Sequence, residues 1–126
     1  MRLLAAHLGI PLELREIDVI DRSSPREQLA GLNPTRNTPT LVLDDGRPLA
    51  ESNAIIWYLG DGSQYAPTDP YERAQVLQWQ FFEQYQVEPS LAVVRFLIAF
   101  SGKAEQHAAR IEEQTANGYI ALDAIE

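Results

Sequence analysis

Apolar positions recur along this chain with two periods, and the changes between them outline its elements. Leu3, Leu4 and Leu8 follow a helical spacing that stops at Gly9, a residue that tolerates the positive φ needed just past a helix. Leu12 to Val19 alternates imperfectly and predicts a strand after the turn at Gly9-Ile10-Pro11. Ser24-Pro25-Arg26-Glu27 combines a cap, a proline suited to the first turn and an acid able to close a capping box, so a short helix is predicted from there to about Gly31. Asn33-Pro34 forces an extended or turning backbone before Thr40-Leu41-Val42-Leu43 resumes a strand. Asp45-Gly46 predicts a hairpin whose return strand, Arg47-Pro48-Leu49, sits at a sheet edge because Pro48 has no N–H to donate. Ser52 to Leu59 predicts another short helix, with Ile55, Ile56 and Leu59 as its apolar stripe and Gly60 and Gly62 ending it.

The second half reads differently. After a linker over about Asp61 to Thr68, Asp69-Pro70-Tyr71-Glu72 repeats the cap signal and starts a long helix through Leu77, Phe81 and Tyr85. Pro89 falls inside a helical pattern that continues to about Phe100, which predicts a kink; Ser101-Gly102 then breaks it. A last helix carries Ala104, Ala108, Ile111, Thr115, Tyr119, Leu122 and Ile125 on one face. These patterns predict an α/β domain over residues 1–62 and the first helices of an all-α domain over 69–126. The first helical pattern lacks a start signal and the last lacks a stop signal, so the expectation is a fragment, an odd start assignment or missing flanking segments.

Composition narrows the chemistry. The chain has 126 residues, 45% of them hydrophobic, enough for a modest core. With no cysteine, disulfides, thiolate metal sites and cysteine nucleophiles are excluded. A formal charge of −8 argues against nucleic acid, whose backbone is bound by clustered Lys and Arg. No apolar run is long enough to span a bilayer and the first residues lack a signal-peptide pattern, so the expectation is a cytoplasmic protein with no membrane partner. His7 and His107 have no second ligand at a metal spacing, and no metal is expected. Trp57, Tyr58, Trp79, Phe81, Phe82 and Tyr85 read as core or interface packing.

The stretch from Asn33 to Gly60 holds the candidate chemistry. A cis bond at Thr38-Pro39 would turn the chain sharply and leave the Thr38 backbone to grip an extended peptide; the residues themselves leave cis and trans open. Glu51-Ser52 stands where a strand hands over to a helix. Ser52 either caps its own helix or offers its hydroxyl and the positive helix end to a carboxylate, while Glu51 could pair with an ammonium.

The order of a capped helix, Asn33-Pro34, Thr38-Pro39, the Asp45-Gly46 hairpin, Glu51-Ser52 and the Ile55-Ile56-Trp57-Tyr58-Leu59 helix resembles the thioredoxin-like N-terminal domain of glutathione transferases. Gln78 to Pro89, with Arg95-Phe96 beyond, resembles the first helix of the helical domain in bacterial members. The resemblance implies binding of glutathione as cosubstrate and its conjugation to a small electrophile, in a homodimer. It implies that Thr38, before Pro39, pairs with the cysteinyl part, that Glu51 and Ser52 hold the γ-glutamyl head, and that Asn37 reaches the glycyl end. Thr38 departs from the family's usual valine, and Asn37 is shorter than the usual side chain there.

The resemblance also implies an opening strand and a loop carrying the serine, tyrosine or cysteine that stabilises the thiolate; the expectation is that this segment is missing ahead of Met1 and that no residue of the chain clearly replaces that group. Its loss would leave the strands near Leu14 and Val42 without a shared neighbour. The catalytic group is therefore unassigned, and a noncatalytic binding or scaffolding module on the same fold is the alternative.

Overall fold

A computed structural model describes residues 1–17 and 27–126, which form two compact units, Met1–Thr68 and Asp69–Glu126. In the first unit, α1 spans Arg2–His7. Its exit is a Schellman motif: Gly9, at φ 66°, donates to the Ala6 carbonyl and Ile10 to the Ala5 carbonyl. The predicted helix start at Ser24-Pro25 lies outside the described residues; its exit is seen at Gly31, where φ is 83° and Leu32 and Asn33 both donate to the Leu29 carbonyl.

The predicted hairpin is present. Strands β1 (Thr40–Val42) and β2 (Pro48–Ala50) pair antiparallel with Thr40 opposite Ala50, Leu41 opposite Leu49 and Val42 opposite Pro48. At the turn Gly46 takes φ 85°, and the Asp45 carboxylate accepts from the Arg47 backbone N–H at 3.1 Å and from its Nε at 2.7 Å. These bonds from Arg47 hold the Asp45 carboxyl below its ordinary value. Helix α2 follows over Ser52–Gly60 and buries Ile55 completely. It packs on α1, where Leu4 Cδ2 lies 3.8 Å from the position a Cβ would take on Gly60. Ala5, Leu29, Ile55 and Ala66 form the buried centre of this unit.

The expected strand at Leu12 to Val19 is not formed over its described part, Leu12 to Ile17. A strand exists only through a ladder, and the sheet among the described residues contains β1 and β2 alone. Glu13 and Arg15 instead form an exposed ion pair at 3.2 Å.

The second unit opens with α3 over Pro70–Phe82, and its start is the predicted cap: Asp69 Oδ1 accepts from the backbone N–H groups of Tyr71 and Glu72, each at 3.0 Å, with Pro70 at the first helical position. Replacing Asp69 by Ala is expected to lower stability by about 1 kcal/mol, read from urea unfolding; no loss would show that the cap contributes nothing.

Pro89 produces a different disturbance from the simple kink expected. Its ring would collide with the carbonyl of Tyr85 in an α-helix, and the helix widens to a π-helix over Glu83–Ala92, closed by a bond from the Val93 N–H to the Glu88 carbonyl. Regular α-helix resumes as α4, Val93–Ala99, and ends before Gly102 at φ 65°. After a short 3-10 turn at Glu105–His107, α5 runs over Ala108–Asp123.

Helix α5 crosses the π segment at Gly118. A Cβ there would stand 2.9 Å from Leu91 Cδ2 and 3.4 Å from the Ser90 carbonyl oxygen. Ser90 is buried, and its hydroxyl donates to the Gln86 carbonyl one turn back, which satisfies it within its own helix. Trp79, Phe81 and Tyr85 stand exposed rather than forming a core; Trp79 meets Phe82 edge to face at 5.4 Å. Leu97 and Ala121 are the buried apolar residues of this unit.

Candidate glutathione site

The hairpin register decides which residues share an end of the sheet. Stepping two residues outward from the pair Thr40 and Ala50 leads to Thr38 on one arm and Ser52 on the other. Thr38-Pro39 and Glu51-Ser52, separate in sequence, therefore flank the open end of the same two-stranded sheet, away from the Gly46 turn.

Each arm presents polar groups there. The Thr38–Pro39 bond is cis, Thr38 is exposed, and its backbone N–H and carbonyl have no hydrogen-bond partner among the described residues. Asn37 is exposed and its side chain makes no hydrogen bond among the described residues; its carbonyl, in contrast, is held from inside by Asn33 Nδ2 at 2.9 Å.

On the other arm, Glu51 occupies the N-cap position of α2 but does not cap it, and the first intrahelical bond runs from Ile55 N–H to the Glu51 carbonyl at 2.9 Å. Ser52 is the first helical residue, half-buried, and its hydroxyl is unpaired among the described residues. It does not cap its own helix, and the positive end of α2 points out beside it. The Glu51 carboxylate is exposed and has no ion-pair partner among the described residues.

Glu51 also carries backbone strain. Its φ of 69° with ψ of 122° lies where residues other than glycine are rarely found. Such conformations cost on the order of 1–3 kcal/mol and persist where the surroundings hold them. Glu51→Gly should remove this cost against a smaller entropic loss, raising stability by about 1 kcal/mol in urea unfolding. A fall of that size would show the conformation to be unstrained.

The sequence expectation put Asn37, Thr38 and Pro39 ahead of a strand and Glu51 and Ser52 at a helix start; the structure has that strand and that helix, and the register brings the two groups to one end of the hairpin. What it missed is the buried Asn33 beneath them, 3% exposed, whose signal was only an Asn before a proline at a turn. Among the described residues no three His, Asp or Glu side chains gather closely enough to hold a metal ion.

Residues 1–61 match the glutathione S-transferase N-terminal domain. The fold matches the crystal structure of a glutathione S-transferase from Pseudomonas fluorescens with a TM-score of 0.92 and 42% identity, over 98% of this chain and 62% of that one. The chain belongs to the glutathione S-transferase family. Its architecture is the thioredoxin-like N-terminal domain of the family, with a small antiparallel sheet, followed by helices. A glutathione transferase from Burkholderia graminis, solved with two glutathione molecules per subunit, is 27% identical with a TM-score of 0.77, over 98% of this chain and 54% of that one. Glutathione S-transferase U21 of Arabidopsis thaliana is 38% identical over 78 residues, 59% of this chain and 34% of its own length. The chain spans between 34% and 55% of the first three curated relatives it matches.

Proposed function

We propose that this member of the glutathione S-transferase family binds glutathione at the open end of its hairpin and serves the conjugation of glutathione to small electrophiles. The observation that carries the reading is the register that brings an unpaired Thr38 backbone and an uncapped helix start at Ser52 to the same end of the hairpin. An extended tripeptide laid between them would pair its cysteinyl amide and carbonyl with Thr38, as a strand adds to a sheet edge. Its γ-glutamyl carboxylate would accept from the Ser52 hydroxyl at the positive end of α2, and its ammonium would meet the Glu51 carboxylate. The Asn37 side chain reaches toward the glycyl end.

In conjugation the glutathione sulfur, as thiolate, forms a bond to the electrophilic carbon and the leaving group departs with its electron pair. The residues named here bind and orient the tripeptide, which holds the sulfur in place; stabilisation of the thiolate is assigned to none of them. The same reading extends to a cytoplasmic homodimer that clears reactive electrophiles. Support for the ligand class comes from the Burkholderia graminis relative solved with glutathione bound.

Retention on immobilised glutathione, with conjugation of a model aryl halide assayed in parallel, tests the proposal. The expected result is retention that free glutathione reverses, together with turnover. Passage through the column unretained at low salt would sink the binding reading, and retention without turnover would sink the conjugation reading.

A further inference from the structure

Asn33 lies just beneath the proposed site, and its side chain fills all the hydrogen-bonding positions that a carboxamide offers. Nδ2 donates to the Asn37 carbonyl at 2.9 Å and to Thr40 Oγ1 at 3.2 Å. Oδ1 accepts from the Thr35 backbone N–H at 3.0 Å and from the Thr35 hydroxyl at 2.9 Å. The partners fix which end is which: a flipped amide would set its NH2 against the Thr35 N–H and its oxygen against a carbonyl. Thr40 Oγ1 in turn donates to the Asn37 carbonyl at 3.2 Å, so that one oxygen accepts twice.

The Asn37 carbonyl shares a rigid peptide plane with the Thr38 N–H. Among the described residues the cis bond is the one after Thr38, so the Asn37–Thr38 bond is trans and its C=O and N–H point in opposite directions. With the carbonyl drawn inward to a buried carboxamide, the N–H is turned outward on an exposed residue. We infer that Asn33 is a positioning residue for glutathione recognition: by holding the Asn37 carbonyl, it aims the Thr38 N–H at the cysteinyl carbonyl. The inference rests on the reading of Thr38 proposed above and adds to it a residue that never touches the ligand.

Asn33→Asp tests this with little change of shape, because it keeps the acceptor facing Thr35 and replaces the donor facing the Asn37 carbonyl with an oxygen. Two ligands are titrated against the whole chain: glutathione, and L-glutamine, which carries the amino-acid head but stops before the cysteinyl residue. The variant is expected to bind glutathione about tenfold more weakly and glutamine within about twofold of the unaltered chain. A role limited to stability would weaken both alike, and that result, or unchanged glutathione affinity, would overturn the inference.

Thr40→Val provides a second arm that does not depend on the first variant folding, since valine suits a strand and removes only the hydroxyl between Asn33 and the Asn37 carbonyl. It is expected to cost about threefold on glutathione alone; equal effects on the two ligands, or no effect, would overturn the inference. Failure of the unaltered chain to bind glutathione would instead overturn the functional reading on which it rests.

Discussion

Gly118→Val is expected to destabilise the protein by about 2 kcal/mol, whereas Gly118→Ala should stay within about 1 kcal/mol of the original. The two substitutions differ in what they push against. The alanine Cβ would come within 2.9 Å of Leu91 Cδ2, the tip of a flexible side chain that can rotate away. Alanine also gains about 1 kcal/mol of helix propensity over glycine, which offsets that shift. Valine adds methyl groups toward the Ser90 carbonyl, which already lies 3.4 Å from the Cβ position. That oxygen belongs to the π segment and cannot move without reopening the helix that Pro89 has widened. Urea unfolding followed by far-ultraviolet circular dichroism measures both variants. Equal stability of valine and glycine would mean that α5 does not cross the π segment at this point.

Ser52→Ala is expected to weaken glutathione binding by about 1–3 kcal/mol, the range for leaving a charged carboxylate short of a hydrogen bond. The effect should fall on binding and leave folding unchanged, because the Ser52 hydroxyl has no partner among the described residues and is not the cap of α2. This separates the two readings left open by the sequence. A serine that capped its own helix would lower the thermal midpoint on removal, while a serine that holds a carboxylate lowers affinity alone. Calorimetric titration and a melting curve on the same sample distinguish them, and a lost midpoint with unchanged affinity would remove Ser52 from the site.

Where local chemistry determines structure, the sequence was readable. Asp45-Gly46 specified the hairpin, Asp69-Pro70 the start of α3, and Gly9 the end of α1, because turns and caps are decided by the few residues that form them. That Thr38 and Ser52 share one end of the sheet followed from the hairpin, since an antiparallel register carries both there once the turn is known. Features that depend on distant partners were not readable. Leu12 to Ile17 has a strand-like pattern but no ladder among the described residues, and alternation cannot say whether a neighbour is present. Pro89 announced a disturbed helix, yet the ten-residue π-helix over Glu83–Ala92 that accommodates it was not visible in the residue types. Asn33 looked like part of a turn, and its bonds to Thr35, Asn37 and Thr40 emerge only once the loop is folded around it.

The most direct measurement is a titration with glutathione followed through backbone amide resonances. The Thr38 and Ser52 amides are expected to shift together along one binding curve, while the Gly46 amide at the far end of the same hairpin stays in place. Thr38 and Ser52 responding with different affinities, or Gly46 moving while they do not, would contradict a single tripeptide bridging the two arms.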